Sequence, residues 1–184
     1  MQKKKILLHA CCAPCSTTAI FSLAEEYDIT LCYYNPNIYP KEECEKRKVE
    51  IYKLVQAVNN EGLNVKILDV INDFEIFEKS VKGFENEKEG GLRCNICFAL
   101  RLDNVAYLAK ENGFDCFATT LTVSPHKNAK LINEIGENIS KKHKIEYLST
   151  DFKKKDGFKK SIELSKKYDL YRQNYCGCKY SIWF

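Results

Sequence analysis

The sequence predicts a single α/β domain whose parallel sheet is covered by helices on both faces. Apolar runs of strand length alternate with longer stretches of helical spacing along the whole chain. Its 184 residues suffice for one sizeable core and leave little room for a second. No internal repeat or low-complexity linker divides it, so the domain is expected over 1–184, with a cysteine-containing tail from about 170 to 184.

Lys5–His9 reads as the first strand. Pro14 suits the first turn of a helix, where its missing N–H is no loss, and Thr17–Glu26 continues that helix through Ile20, Leu23 and Ala24. Ile29–Tyr34, aromatic and β-branched, is the second strand, followed by the turn-rich Asn35–Pro40. Lys41–Glu61 is a long amphipathic helix stopped by Gly62, and Val65–Asp69 is the third strand. A short helix over Asp73–Lys82 precedes a charged loop, Gly83–Gly91. Cys94–Asn112 is helical up to Gly113, and Phe114–Thr119 is the fourth strand. Ser124-Pro125 signals the cap and first turn of a helix reaching about Lys142. Lys144–Leu148 is the fifth strand and Asp156–Asp169 the last helix.

With 45% hydrophobic and 29% charged residues, the composition is that of a soluble globular protein. The longest apolar runs, such as Ile6–Leu8 and Leu31–Tyr34, are too short to cross a bilayer. Lys3–Lys5 lead into a strand-length apolar stretch rather than a signal peptide, so a cytoplasmic protein without a membrane partner is expected. Ten cysteines in that setting read as metal ligands or redox groups rather than as disulfide staples. The net charge of +4 leans weakly toward anionic partners.

Three thiols, Cys11, Cys12 and Cys15, follow directly on the first strand. That loop lies where open α/β sheets place their ligands. The second cluster is Arg93-Cys94-Asn95-Ile96-Cys97, at the start of a long helix whose dipole and free N–H groups favour thiolates. Alone it would fit a redox pair or half a zinc site; five converging thiols fit Zn²⁺ or an iron–sulfur cluster. Placement at helix starts on the ligand edge of the sheet favours chemistry over a structural zinc. The third cluster, Cys176-Gly177-Cys178, suits a strained redox-active disulfide, further metal ligands or an idle tail.

Cys32 and Cys116 lie in strand patterns and read as core residues, while Cys44 stands alone. His9 closes the first strand as a ligand, an acid or a simple strand-end side chain. His126 falls in the expected first turn after Ser124-Pro125, a possible anion site, and His143 in a solvated helix end. Late lysines and arginines interleave with Tyr168, Tyr171, Tyr175, Tyr180 and Trp183. That mixture suits single-stranded nucleic acid or a solvated helix beside a packed aromatic tail.

Seven segments in this order resemble one family. They are His9–Ser16, Tyr34–Pro40, Arg93–Cys97, Arg101-Leu102, Thr119–Leu121, Ser124–Asn128 and Tyr175–Ser181. The chain resembles the QueH-type, cobalamin-independent epoxyqueuosine reductases over nearly its full length. The resemblance implies a Rossmann-like fold similar to the ATP-pyrophosphatase tRNA-modifying enzymes. It implies reduction of epoxyqueuosine to queuosine in the tRNA anticodon loop by an oxidoreductase fed by an electron donor. It also implies a [4Fe–4S] cluster on Cys11, Cys12, Cys94 and Cys97, an additional mononuclear iron, and a redox-active disulfide between Cys176 and Cys178. Cys15 becomes the candidate ligand of the second iron by its spacing. His9 and His126 are the candidate proton donors.

Two other readings compete. An ATP-dependent tRNA thiolase on the same fold would need glycines after the first strand to hold pyrophosphate, and Cys-Cys-Ala-Pro-Cys-Ser has none. A non-catalytic iron–sulfur module, binding tRNA or sensing redox state, would keep the thiols but change no nucleoside.

Overall fold

The computed structural model describes residues 3–181. The elements, in chain order, are β1 (Lys4–His9), α1 (Ala13–Leu23), β2 (Tyr27–Cys32), α2 (Lys41–Asn60), β3 (Lys66–Leu68) and α3 (Phe74–Ser80). There follow α4 (Leu92–Glu111), β4 (Cys116–Thr119), α5 (Ala129–His143), β5 (Glu146–Tyr147) and α6 (Gly157–Lys167). The strands form one all-parallel sheet in the order β3-β2-β1-β4-β5.

The central place of β1 follows from its side chains. Ile6, Leu7 and Leu8 are all fully buried, which a strand achieves only when both faces of its sheet are covered. Ile6 and Leu8 pack with Ile20 of α1 and Leu54 and Val58 of α2. Leu7 points the other way, among Leu102 and Val105 of α4 and Ile132 of α5. Each such side chain contributes about 2 kcal/mol by leaving water. The outer strands β3 and β5 are short and partly exposed, so neither offers a long edge for pairing with another chain.

The strand order positions the site. From β1 the chain proceeds to β2 and β3 on one side, then crosses to β4 and β5 on the other. The segments leaving β1 and β4 therefore border a crevice at the point where the winding reverses. The register pairs Ile6 with Cys116 and His9 with Thr119, so the two strands end level and deliver their loops to the same place.

The helix expected from Ser124-Pro125 begins later, at Ala129. Thr120–Val123 instead make a 3-10 turn, capped where Thr119 Oγ1 accepts from the Leu121 N–H at 3.1 Å. Ser124 is extended, as the residue before a proline prefers. Its Oγ accepts from the His126 N–H, and its carbonyl accepts from the Lys127 N–H, closing a turn. Asn128 then caps α5, its Oδ1 accepting from the Leu131 N–H at 3.2 Å. His126 thus sits in a turn before the helix and not at its positive end.

Close contact between α1 and α6 depends on Gly157. Its carbonyl accepts from Thr18 Oγ1 at 2.9 Å, and a Cβ there would lie 1.6 Å from the Phe152 carbonyl oxygen. Gly157→Ala is expected to lower the unfolding free energy by about 1–3 kcal/mol through overpacking. The measurement is a reduced denaturant midpoint at unchanged slope. An unaltered midpoint would contradict this packing.

Candidate metal and redox centre

Sulfur occupies the N-terminus of α1. Cys12 is the extended N-cap residue, and Cys15 lies in the first helical turn beside Pro14. Ser16 fixes that turn by donating from Oγ to the Cys12 carbonyl at 2.8 Å. The sulfurs of Cys11, Cys12 and Cys15 all lie within 4.8 Å of one another. Cys11 is tied to the β4 side of the crevice, because its N–H donates to Thr120 Oγ1 at 3.0 Å. The same hydroxyl donates to Cys11 Sγ at 3.2 Å. The Cys11 thiol is held well below the ordinary range because Cys12 and Cys15 donate to its sulfur, with Lys127 and Arg101 adding positive charge. As donors, Cys12 is pushed up to about 11 and Cys15 well above its ordinary value.

Cys11 and Cys15 face a cleft of ≈ 570 Å³, lined also by Arg47, Glu89, Arg101, His126, Lys127, Arg172, Tyr175 and Cys176, with Cys12 buried behind them. A smaller recess of ≈ 40 Å³ adjoins it, sharing Glu89, Gly90, Arg101, His126, Lys127 and Cys176. Cys94, Cys97 and Cys178 line this recess. The three cysteine clusters thus surround adjoining parts of one crevice. A thiol-rich donor set of this kind fits zinc or an iron–sulfur cluster. A third hollow, of ≈ 480 Å³ beside Ile96, Leu100 and Ile139, carries no thiol.

Cys94 and Cys97 stand in the first two turns of α4, and the Gly90 N–H donates to Cys94 Sγ at 3.2 Å. The expected bias toward thiolates is not realised at either. Burial pushes both thiols up, outweighing that hydrogen bond at Cys94 and the Arg101 charge at Cys97.

His9 is fully buried at the end of β1, with Nδ1 2.9 Å from Thr119 Oγ1 and Nε2 3.1 Å from the Tyr34 carbonyl. Burial first, and the Arg101 charge second, take its pKa down to about 3. It is held neutral at the strand end. Beside it Asn35 joins the two walls. Asn35 Nδ2 donates to the Ala10 carbonyl at 2.9 Å, and its Oδ1 accepts from Arg101 Nη2.

The expected Cys176–Cys178 disulfide is not formed; both are free thiols, as are the other eight cysteines. The backbone is organised differently, with the Cys178 N–H donating to Cys176 Sγ at 3.4 Å. Gly177 has φ +102°, and a Cβ there would meet Ile38 Cγ1 at 2.8 Å and Arg47 Nη1 at 3.0 Å. Glycine serves this close approach rather than a strained sulfur bridge. Buried Arg47 pairs with Glu43 Oε1 at 2.7 Å and donates to the carbonyls of Cys176 and Tyr175 at 3.1 and 3.3 Å. The Tyr39 N–H donates to the Gly177 carbonyl at 2.7 Å.

Cys32 and Cys116 are fully buried core residues, as expected, and Cys44 joins them under Tyr33, whose hydroxyl donates to its carbonyl. His143 is paired with Asp103 at 2.8 Å and is not simply solvated. Most of the late tyrosines are engaged internally. Tyr168 hydrogen-bonds Glu61, Tyr171 meets Glu43 and carries Lys46 over its ring, and Tyr180 meets Glu78. Trp183 lies outside the described residues. Arg172, His126 and Lys127 remain as basic groups on the cleft. Arg47 escaped the sequence reading entirely. Arg101 had a signal, since it stands four residues after Cys97 on the same helix.

Fold and thiols together define a cysteine-rich α/β protein with a thiol triad that could hold a metal. The sequence model of the family described as QueH, epoxyqueuosine reductase, matches residues 6–183, and the chain belongs to that family. The epoxyqueuosine reductase QueH of Staphylococcus aureus is 45% identical over 182 residues, covering 97% of this chain and 76% of that protein. Its counterpart from Streptococcus pyogenes is 43% identical over 180 residues, covering 97% and 71%. The Thermotoga maritima protein is 35% identical over 178 residues, covering 96% and 90%. These relatives carry the name of an oxidoreductase. A crystal structure described as a predicted subunit of a tRNA methyltransferase from Methanocaldococcus jannaschii superposes with TM-score 0.55 at 15% identity. That match covers 90% of this chain and 74% of the other, a likeness of fold alone.

Arg47→Met is expected to release the 175–178 segment, because each hydrogen bond from a charged donor contributes about 1.5–3 kcal/mol. Alkylation of Cys176 and Cys178 should accelerate by at least about tenfold, with faster amide exchange confined to that segment. Unchanged alkylation rates would show that the guanidinium does not hold the tail.

Proposed function

We propose that this chain reduces epoxyqueuosine to queuosine within the anticodon loop of tRNA. The observation that carries the reading is the meeting of thiols from three distant segments at one basic-rimmed cleft on the ligand edge of the sheet. Membership of the QueH family supplies the substrate class. In the reaction two electrons and two protons enter, both carbon–oxygen bonds of the epoxide break, an alkene forms, and the oxygen leaves as water.

Cys11, Cys12, Cys94 and Cys97 would hold a [4Fe–4S] cluster, leaving Cys15 to contribute to a second iron. Iron centres, when bound, supply one-electron transfer and a Lewis acid for the epoxide oxygen. The remaining work falls to the chain. Asn35 and Arg101 keep the two ligand walls in register. Exposed His126, on the rim of the cleft, would be the proton donor. Cys176, on the wall common to cleft and recess, is the tail thiol placed to touch the nucleoside. Lys127 and Arg172 receive phosphates of the RNA, and the Tyr175 and Phe158 rings offer surfaces beside them. The cytoplasm, where tRNA is modified, is the corresponding location; among the described residues no helix is long and apolar enough to cross a membrane.

The test is anaerobic reconstitution with iron and sulfide, followed by a strong reductant, epoxyqueuosine-containing tRNA and nucleoside analysis. Queuosine is expected. An intact cluster signal without queuosine would leave a non-catalytic iron–sulfur module. Cys94→Ser and Cys97→Ser should each lose bound iron and product together.

Binding should also reveal the cleft's polarity. Lys127→Ala and Arg172→Ala are each expected to weaken affinity for the tRNA and lower the log–log salt slope by about one. A slope equal to that of the unaltered chain would place the RNA elsewhere.

A further inference from the structure

Three arginines near the site are buried: Arg47 at 2%, Arg93 at 1% and Arg101 at 4% exposure. Arg47 has a carboxylate partner in Glu43. Among the described residues neither Arg93 nor Arg101 has an acidic group within 4 Å. A guanidinium stays charged at any working pH, and an uncompensated buried ion is strongly destabilising. Their hydrogen bonds do not supply the missing charge. Arg93 Nη1 donates to the carbonyls of Phe84, Glu85 and Glu87, while its Nε and Nη2 have no acceptor. Arg101 reaches the Asn35 amide oxygen, His9 Nε2 at 3.4 Å and Cys97 Sγ at 3.9 Å.

Both arginines flank one ligand. They stand four residues before and four after Cys97 on α4, so the three side chains form a row on one side of the helix. Arg93, Arg101 and Cys97 all line the recess that also holds Cys94. The acidic residue on that recess, Glu89, is exposed and pairs with neither arginine. Arg101 faces the Cys97 sulfur, and the Arg93 guanidinium lies over the Tyr180 ring, 5.2 Å from its centroid, on the recess lined by Cys94, Cys97 and Cys178; neither finds an anion there.

We propose that Arg93 and Arg101 are positioning residues whose fixed charges balance the thiolate-bound iron group and set its reduction potential. The inference rests on the reading that Cys94 and Cys97 ligate that group. Reduction adds one electron to a centre already made anionic by its thiolates. A cation held close to a ligand sulfur therefore stabilises the reduced state more than the oxidised state and moves the potential in the positive direction. Arg101 acts on Cys97 directly, and Arg93 through its charge across the recess that both line.

The experiment is a dye-mediated redox titration of the reconstituted full chain, followed by electron paramagnetic resonance, with iron and sulfide contents measured alongside. An unaltered chain that binds no iron overturns the reading of the site, and this inference with it, before any variant is compared. With the cluster present, Arg101→Gln and Arg93→Gln are each expected to show a more negative midpoint at equal iron content. Arg101→Lys, which restores charge without the fork, should lie between Arg101→Gln and the unaltered chain. Midpoints of both glutamine variants equal to that of the unaltered chain overturn the proposal, because a purely structural role would leave the potential in place. Should Arg101→Gln retain no iron, Arg93→Gln decides alone: a negative shift supports the proposal, and an unmoved midpoint overturns it.

Discussion

The centre depends on two parallel strands ending at the same height. His9 and Thr119 are neighbours across β1 and β4, so the chain leaves both strands into one crevice. Thr119 and Thr120 secure this junction, the first beside the His9 ring and the second through the main chain and sulfur of Cys11. Asn35, arriving from the end of β2, ties the Ala10 carbonyl to Arg101 on α4. A slip of β1 against β4 would carry the triad away from the threonines and from the wall bearing Cys94 and Cys97. The apolar run Ile6–Leu8, buried on both faces, is what prevents that slip.

Around this junction the protein spends buried polarity in two ways. Arg47 is compensated in the ordinary manner by Glu43 and serves as a brace for the tail. Arg93 and Arg101 lack such partners and stand among sulfur. Arg93 also holds backbone, through the carbonyls of Phe84, Glu85 and Glu87, but does so without an acidic partner. His9 belongs with the braces: desolvated and neutral, it fills the strand end without introducing another charge beside the thiols.

The fold was legible because parallel α/β architecture writes itself as apolar strand runs between amphipathic helices, and each expected element is present. The start of α5 was misplaced because Ser124-Pro125 is a local signal, overridden by the turn that Thr119 caps and by the better-placed Asn128. Cys11, Cys12, Cys15, Cys94 and Cys97 were legible as a group from their positions at helix starts. That their basicities would diverge was not, because it depends on burial and on which thiol donates to which. Arg47 was invisible in the charged run Glu42–Lys48, since its burial is imposed by a tail 128 and 129 residues further along the chain. The close approach of the glycine between Cys176 and Cys178 to Ile38 and Arg47 was not legible, because both partners lie far away in the chain.

The Tyr175–Gly177 stretch of the tail is gripped through its carbonyls. Arg47 takes the carbonyls of Tyr175 and Cys176, and Tyr39 takes that of Gly177. A clamp on peptide groups is indifferent to what the side chains are, so the loop's path is decoupled from its chemistry. Partly buried Cys176 can be exchanged for another functional group while the loop stays in place, whereas Cys178 is buried with Phe77 and Val81 and Gly177 is bound to one identity. The architecture thus offers a socket in which the side chain at 176 can be exchanged without redesigning the scaffold that presents it.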